Sequence, residues 1–174
     1  MFIIGITGLS CSGKTQLSQN LQKNLGENDC LLISLDDYYK ELTDEQYKIL
    51  YEDEANINFD EPNAIDFNKL IDHLNLIKTN QPCSLPKYDL GSCVLDPSKF
   101  FYVEPNKYKF VIIEGVFVFC SDALNNLFNL KIWVETSEYI CALRRFIKYT
   151  RDIKGYSNEY VYNQCIKYVI PGNI

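Results

Sequence analysis

The sequence predicts an α/β fold: an open, mostly parallel sheet with helices on both faces and a small inserted β-hairpin. Three observations carry this. Phe2–Ile6 is an apolar run that leads through a glycine-rich loop into a stretch of helical period, with Leu17, Leu21 and Leu25 spaced by four. Cys30–Ser34, Phe110–Ile113 and Leu130–Val134 are continuous apolar runs too short for helices, the pattern of parallel strands buried on both faces. Between them, Gln81–Val103 carries two prolines near its start and short alternating pieces, Cys83–Tyr88 and Lys99–Val103, which read as a hairpin or flap over about residues 81–103. At 174 residues the simplest organisation is one domain, 1–174, burying roughly 70% of its unfolded surface.

The first loop carries the most specific signal. Gly8-Leu9-Ser10-Cys11-Ser12-Gly13-Lys14-Thr15 fits G-x-x-x-x-G-K-[ST], the phosphate-binding P-loop, in its required setting between a strand and a helix. Successive backbone N–H groups wrap an anionic phosphate only where glycine permits the backbone angles and the close approach, hence Gly8 and Gly13. Ser10 and Ser12 belong to the same nucleotide-binding loop. Lys14 supplies a point charge to the β and γ phosphates. The Thr15 hydroxyl is placed for Mg²⁺, and the helix that starts here turns its positive dipole end to the same anion.

Composition narrows the partners. A formal charge of −6 argues against nucleic acid or an anionic membrane, whose phosphates need clustered Lys and Arg, while leaving a small anionic ligand open. The seven cysteines (11, 30, 83, 93, 120, 141, 165) form no C-x-x-C pair, and there is one histidine, so neither a zinc site nor a disulfide framework is expected. They read as buried small hydrophobes in a reducing compartment. With no charged leader and no apolar run of about 18 residues, the expectation is a cytoplasmic protein with no membrane span.

Taken in order, the strand Cys30–Ser34 ends in Leu35-Asp36-Asp37-Tyr38-Tyr39-Lys40. Ligands of such sheets bind beyond the carboxyl ends of the strands. A carboxylate there is sited to take a proton from an attacking hydroxyl, or else it starts a turn or caps a helix. Lys40–Asn58 is expected to be an irregular excursion with one short helix. Pro62 marks a break before a helix running to about Lys78, with Phe67, Leu70, Ile71, Leu74 and Ile77 as its apolar face. His73 lies off that face and is expected in solvent. Phe110–Ile113 ends in Glu114-Gly115, and an acidic residue in that place either reaches the water shell of a metal or caps the next segment. Asp122–Phe128 reads as a short helix, and Leu130–Val134 holds the one tryptophan, Trp133. Glu138–Tyr149 is a helix bearing Arg144, Arg145 and Lys148. The cations that follow over about 150–157 are either a solvated face or a lid that closes over a transferring phosphoryl group. Asn158–Ile170 is the last helix.

Together, Gly8–Thr15, Asp36, Asn58-Phe59-Asp60, Tyr88-Asp89, Glu114-Gly115 and Arg144-Arg145 resemble the uridine–cytidine kinases of the phosphoribulokinase/uridine kinase group, over Phe2 to about Val169. The resemblance implies a P-loop kinase sheet and ATP- and Mg²⁺-dependent phosphorylation of the 5′-hydroxyl of uridine or cytidine. Thr15 and Glu114 would serve the metal, and Asp36 would activate the hydroxyl. Asp60 would hold the ribose hydroxyls and Tyr88 the pyrimidine. Arg144, Arg145 and Gln164 fall near family residues that contact sugar or phosphate. Homo-oligomerisation is an option the family raises. There are departures. Where the family has a base-reading histidine and arginine, this chain has Cys93 and Leu95, leaving Cys93 against the substrate. Lys154-Gly155-Tyr156 stands where the lid usually carries Arg-Gly-Arg. The family's further strand and helix at the adenine pocket are not reached. Gly155-Tyr156 is also similar to the nicotinamide riboside kinases. A second alternative, prompted by the altered lid, is a non-catalytic ATP-binding paralogue with a regulatory role.

Overall fold

The computed structural model describes residues 1–53, 58–89, 94–104, 106–153 and 157–165. Its centre is a four-stranded parallel sheet in the order β2-β7-β1-β8, built from Phe2–Gly8 (β1), Cys30–Ser34 (β2), Phe110–Glu114 (β7) and Leu130–Val134 (β8). Between them run α1 (Lys14–Leu25), α2 (Asp44–Asp53), α3 (Phe67–Lys78) and the short strands β3 (Cys83–Leu85), β4 (Tyr88–Asp89), β5 (Val94–Leu95) and β6 (Phe101–Val103). Then α4 (Asp122–Asn125) precedes β8, and α5 (Glu138–Ile147) and α6 (Asn158–Gln164) follow it.

The alternation of side chains along the strands assigns the two faces. Ile3, Leu31, Ile33, Val111 and Ile113 bury against Leu70, Leu74 and Ile77 of α3, Leu124 of α4, and Leu85 and Val103 of the insertion. Ile4, Ile6, Cys30 and Ile112 point the other way, onto Leu21 and Leu25 of α1. Continuous apolar strands with helices on both faces follow from this period of two. The register is in step: Ile6 and Ser34 both pair with Glu114. The P-loop, Glu114 and the residues after Ser34 therefore emerge at one edge of the sheet.

The expected insertion is two small antiparallel ladders, β3 with β6 and β4 with β5. The region expected to be irregular contains α2, a ten-residue helix. Asp66 caps α3, its carboxylate accepting from Lys69 N–H at 3.0 Å. Helix α4 is only four residues, shorter than the periodicity suggests, and α5 passes at Lys148–Ile153 into a wider π-helical turn. Leu17, expected on the apolar face of α1, is 39% exposed. Of the cysteines expected to be buried, Cys30, Cys83 and Cys141 are, Cys11 and Cys165 are half-buried, and Cys120 is exposed; Cys93 lies outside the described residues. Residues 154–156 of the expected lid, and the expected continuation of the last helix beyond residue 165, also lie outside them. No helix among the described residues is long and apolar enough to cross a membrane.

His73 departs from expectation. It is half-buried, with Nδ1 2.9 Å from the hydroxyl of Tyr38, a side chain that is 1% exposed. Burial lowers the His73 pKa, and Lys69 pushes the same way against Asp72 and Asp66. The hydrogen bond between the ring and the tyrosine fastens α3 to the turn Leu35–Tyr38 after β2. A second close contact lies at Gly115, where a Cβ would stand 2.5 Å from Cβ of Leu35. The strand end that carries Glu114 is thus pressed against the turn that carries Asp36.

Two outcomes follow. Gly115→Ala forces β7 and the Leu35–Tyr38 turn apart and costs about 1–3 kcal/mol, read as a lower urea midpoint. Because the folded state resists protonation of His73, its contribution is full above about pH 6.5 and is lost as pH falls through the lowered folded value. His73→Gln therefore melts lower than the wild type at pH 7.5 but loses less melting temperature between pH 7.5 and 5.5.

Candidate active site

The loop between β1 and α1 is held on three sides. A Cβ on Gly8, whose φ is +150°, would stand 2.4 Å from the carbonyl oxygen of Val134 at the end of β8, so only glycine fits where the loop leaves the sheet. The Thr136 hydroxyl donates to the Ser12 carbonyl at 2.9 Å, and Arg144 donates to the Cys11 carbonyl at 3.4 Å. Thr7 donates its hydroxyl to the carbonyls of Gly115 and Val116 at 3.0 and 2.7 Å, tying the approach of the loop to the end of β7.

Lys14 and Glu114 are each 6% exposed. The Lys14 ammonium donates to the Leu9 carbonyl at 2.7 Å, across its own loop. Burial lowers its pKa, opposed by the negative charges of Glu114 and Asp36. Glu114 accepts from the hydroxyls of Thr15 at 3.2 Å and Ser34 at 3.4 Å. Burial raises its pKa, and Asp36 pushes in the same direction. Asp36 is itself raised by burial, with Asp37 and Asp60 adding to the shift while Lys14 and Lys148 oppose it.

These groups meet an open cleft of about 890 Å³. Thr15, Ser34, Asp36 and Glu114 line it together with Lys87, Tyr88, Asp89, Asp96 and Lys99 of the insertion. Tyr88 is buried, its ring 5.3 Å from that of Tyr39 and its N–H donated to Asp37 at 3.2 Å. Asp37 also pairs with Lys87 at 3.0 Å, so the second aspartate of the pair anchors the insertion. Tyr39 donates its hydroxyl to the Phe59 carbonyl at 3.2 Å, bringing the Asn58–Asp60 stretch beside Asp36.

Asp60 does not line that cleft. Its carboxylate is gripped by both terminal nitrogens of Arg145, at 3.1 and 3.4 Å, while Arg145 also donates to the Ser10 hydroxyl at 2.9 Å. The guanidinium carbon lies 4.9 Å from the centre of the Tyr149 ring. Gln164 is half-buried at the end of α6, which packs on α5. Of the residues singled out in the sequence, the fold gathers Thr15, Asp36, Tyr88 and Glu114 at the cleft and Ser10, Asp60 and Arg145 in a separate bonded cluster. Ser34, Asp37, Tyr39 and Thr136 were missed; the doubled aspartate and doubled tyrosine after β2 were the only signal for two of them.

Paired hard oxygens at Thr15 and Glu114 suit a divalent cation such as Mg²⁺. Among the described residues no group of three or more His, Cys, Asp or Glu side chains could hold a metal ion, so such a cation would need phosphate and water oxygens as well. The buried Ser12 hydroxyl, without a hydrogen-bond partner among the described residues, adds an unused polar group to the loop.

A P-loop at the carboxyl edge of a parallel sheet, with the buried Glu114 ending β7 and the half-buried Asp36 just after β2, defines a phosphotransferase of the P-loop kinase class. The chain belongs to the phosphoribulokinase/uridine kinase family, whose description matches residues 3–172. It is 34% identical over 173 aligned residues to a uridine kinase of Klebsiella pneumoniae, covering 97% of this chain and 78% of that protein. It is 31% identical to a chloroplastic uridine/cytidine kinase of Arabidopsis thaliana, covering 98% of this chain but only 34% of that longer relative. The fold is also that of phosphoribulokinase from Rhodobacter spheroides, with a TM-score of 0.63 at 13% identity over 98% of this chain and 66% of that one.

Proposed function

We propose that the chain transfers the γ-phosphoryl group of ATP to the 5′-hydroxyl of a pyrimidine ribonucleoside, uridine or cytidine. The observation that carries this reading is the shared cleft: Asp36 lines it together with Thr15 and Glu114, so a proton acceptor and the oxygens suited to a metal face one space. The named activities of the uridine kinase relatives support the acceptor class.

Asp36 is the base. Burial raises its pKa, which strengthens the pull of its carboxylate form on the hydroxyl proton. Lys14, held within the loop, provides the positive charge that phosphate oxygens meet there. Thr15 and Glu114 hold the cation, and Ser34 orients the Glu114 carboxylate. Mg²⁺, when bound, supplies charge that neutralises the β and γ phosphate oxygens. Tyr88, in the cleft lining, would meet the base, and Asp60, outside that lining but close enough to Asp36 to raise its pKa, would accept from the ribose hydroxyls. Because little covalent work falls to the protein in phosphoryl transfer, positioning and charge carry the rate.

Turnover assays with uridine and cytidine test this, and phosphorylation of neither while ATP still binds refutes it. Asp36→Asn lowers kcat by about 10²–10⁴ with little change in nucleoside KM. Since only the carboxylate form works, the wild-type rate falls as pH drops through the raised Asp36 pKa, and that acid limb lies above the ordinary Asp value of about 3.9. The residual activity of Asp36→Asn lacks the limb. Thr15→Val preserves shape but removes an oxygen, so the Mg²⁺ concentration for half-maximal rate rises about tenfold, measured by metal titration at saturating ATP.

A further inference from the structure

Ser10 sits in a loop whose other members serve phosphate, yet its side chain is turned to Arg145. One terminal nitrogen of that arginine is shared between the Ser10 hydroxyl at 2.9 Å and Asp60 at 3.4 Å; the other goes to Asp60 at 3.1 Å. The side chains of Arg145 and Asp60 are only 11% and 21% exposed, and stacking on Tyr149 further restrains the guanidinium. Each terminal nitrogen carries two hydrogens, so the planar fork serves both partners at once, and a movement of the guanidinium toward one partner shifts it relative to the other. We propose that Ser10 is a positioning residue which, through Arg145, couples the nucleotide loop to Asp60, so that occupancy at Asp60 is felt at the phosphates. This rests on the reading of Asp60 as the acceptor-sugar residue.

The sign follows from the hydrogen bonds. With no acceptor, Asp60 accepts from both terminal nitrogens and offsets the guanidinium charge, while one of those nitrogens also serves Ser10. Hydroxyl donors arriving at Asp60 meet part of the carboxylate's demand and release positive charge toward the loop that Ser10 faces. Acceptor and nucleotide then bind more tightly together than apart, and by linkage the effect is reciprocal. Arg144, bonded to the Cys11 carbonyl rather than to any carboxylate, holds the loop but does not connect it to Asp60.

The test measures binding of a non-hydrolysable ATP analogue with Mg²⁺ by calorimetry, in the wild type, Ser10→Ala, Asp60→Asn and the double variant, each checked by its melting curve. Asp60→Asn tightens the analogue about three- to tenfold in the wild-type background, and this gain disappears when Ser10 is alanine. Ser10→Thr, which keeps a hydroxyl, behaves as the wild type. Arg145→Lys, a point charge that cannot fork, also abolishes the Asp60→Asn gain and serves if Asp60→Asn combined with Ser10→Ala does not fold. Additive effects, or Ser10→Ala weakening the analogue by one factor in every background, overturn the proposal and make Ser10 a direct phosphate ligand. Adding uridine or cytidine separates the two readings. Non-additivity without any nucleoside effect keeps the coupling and refutes the pyrimidine acceptor; nucleoside turnover with additive effects does the reverse.

Discussion

The buried Lys14, set near the buried Glu114 and the half-buried Asp36, is the constraint on which this site depends. Lys14 and Glu114 are withdrawn from water, and Asp36 is close enough to both to shift their titration. Charges in such surroundings are tolerated only when paired and hydrogen-bonded. Here one cation faces two anions, with hydroxyls of Thr15 and Ser34 on Glu114 and a loop carbonyl on the ammonium. The arrangement is incomplete by itself: Asp36 pushes the Glu114 pKa up, and the lysine satisfies a carbonyl of its own loop. A ligand that carries phosphate oxygens and a hard cation matches both deficits, which is the electrostatic preorganisation that phosphoryl transfer uses.

That cluster exists because three strands are in register. Pairing of Ile6 and of Ser34 with Glu114 brings the ends of β7 and β2 level with Ile6, two residues before β1 ends at Gly8, and each strand then delivers one element: the P-loop, the carboxylate, and the turn bearing Asp36. Two close contacts hold the level. Gly8 lies against the Val134 carbonyl and Gly115 against Leu35, so adding even a methyl group at either place pushes apart the backbones that carry the chemistry.

The rest of the cleft and the Asn58–Asp60 stretch are positioned by fastening long connections to that edge. Asp37 binds both Lys87 and the N–H of Tyr88, Tyr39 holds the Phe59 carbonyl, and Tyr38 is bonded to His73 of α3. One short turn after β2 thereby fixes the insertion, the Asn58–Asp60 stretch and a helix on the sheet face. The neighbours of Asp36 along the chain set where the insertion and the Asn58–Asp60 stretch lie relative to it.

Local pattern was enough for the elements whose signals lie within a few residues. Continuous apolar runs specify buried parallel strands, the leucine and isoleucine spacing of α3 specifies its face, and Gly8–Thr15 specifies an anion-binding loop, because period and glycine placement act over short distances. Glu114 and Asp36 were legible for the same reason, being the first acidic residues at strand ends. Tertiary structure was needed for everything that depends on which distant side chains meet. His73 looks solvated on a helical wheel and is bonded to Tyr38; Leu17 looks buried and is exposed; Ser10 reads as a phosphate residue and is turned to Arg145, 135 positions away. Spacing along a chain encodes the face of an element, but the partner waiting at that face is set by how the elements pack.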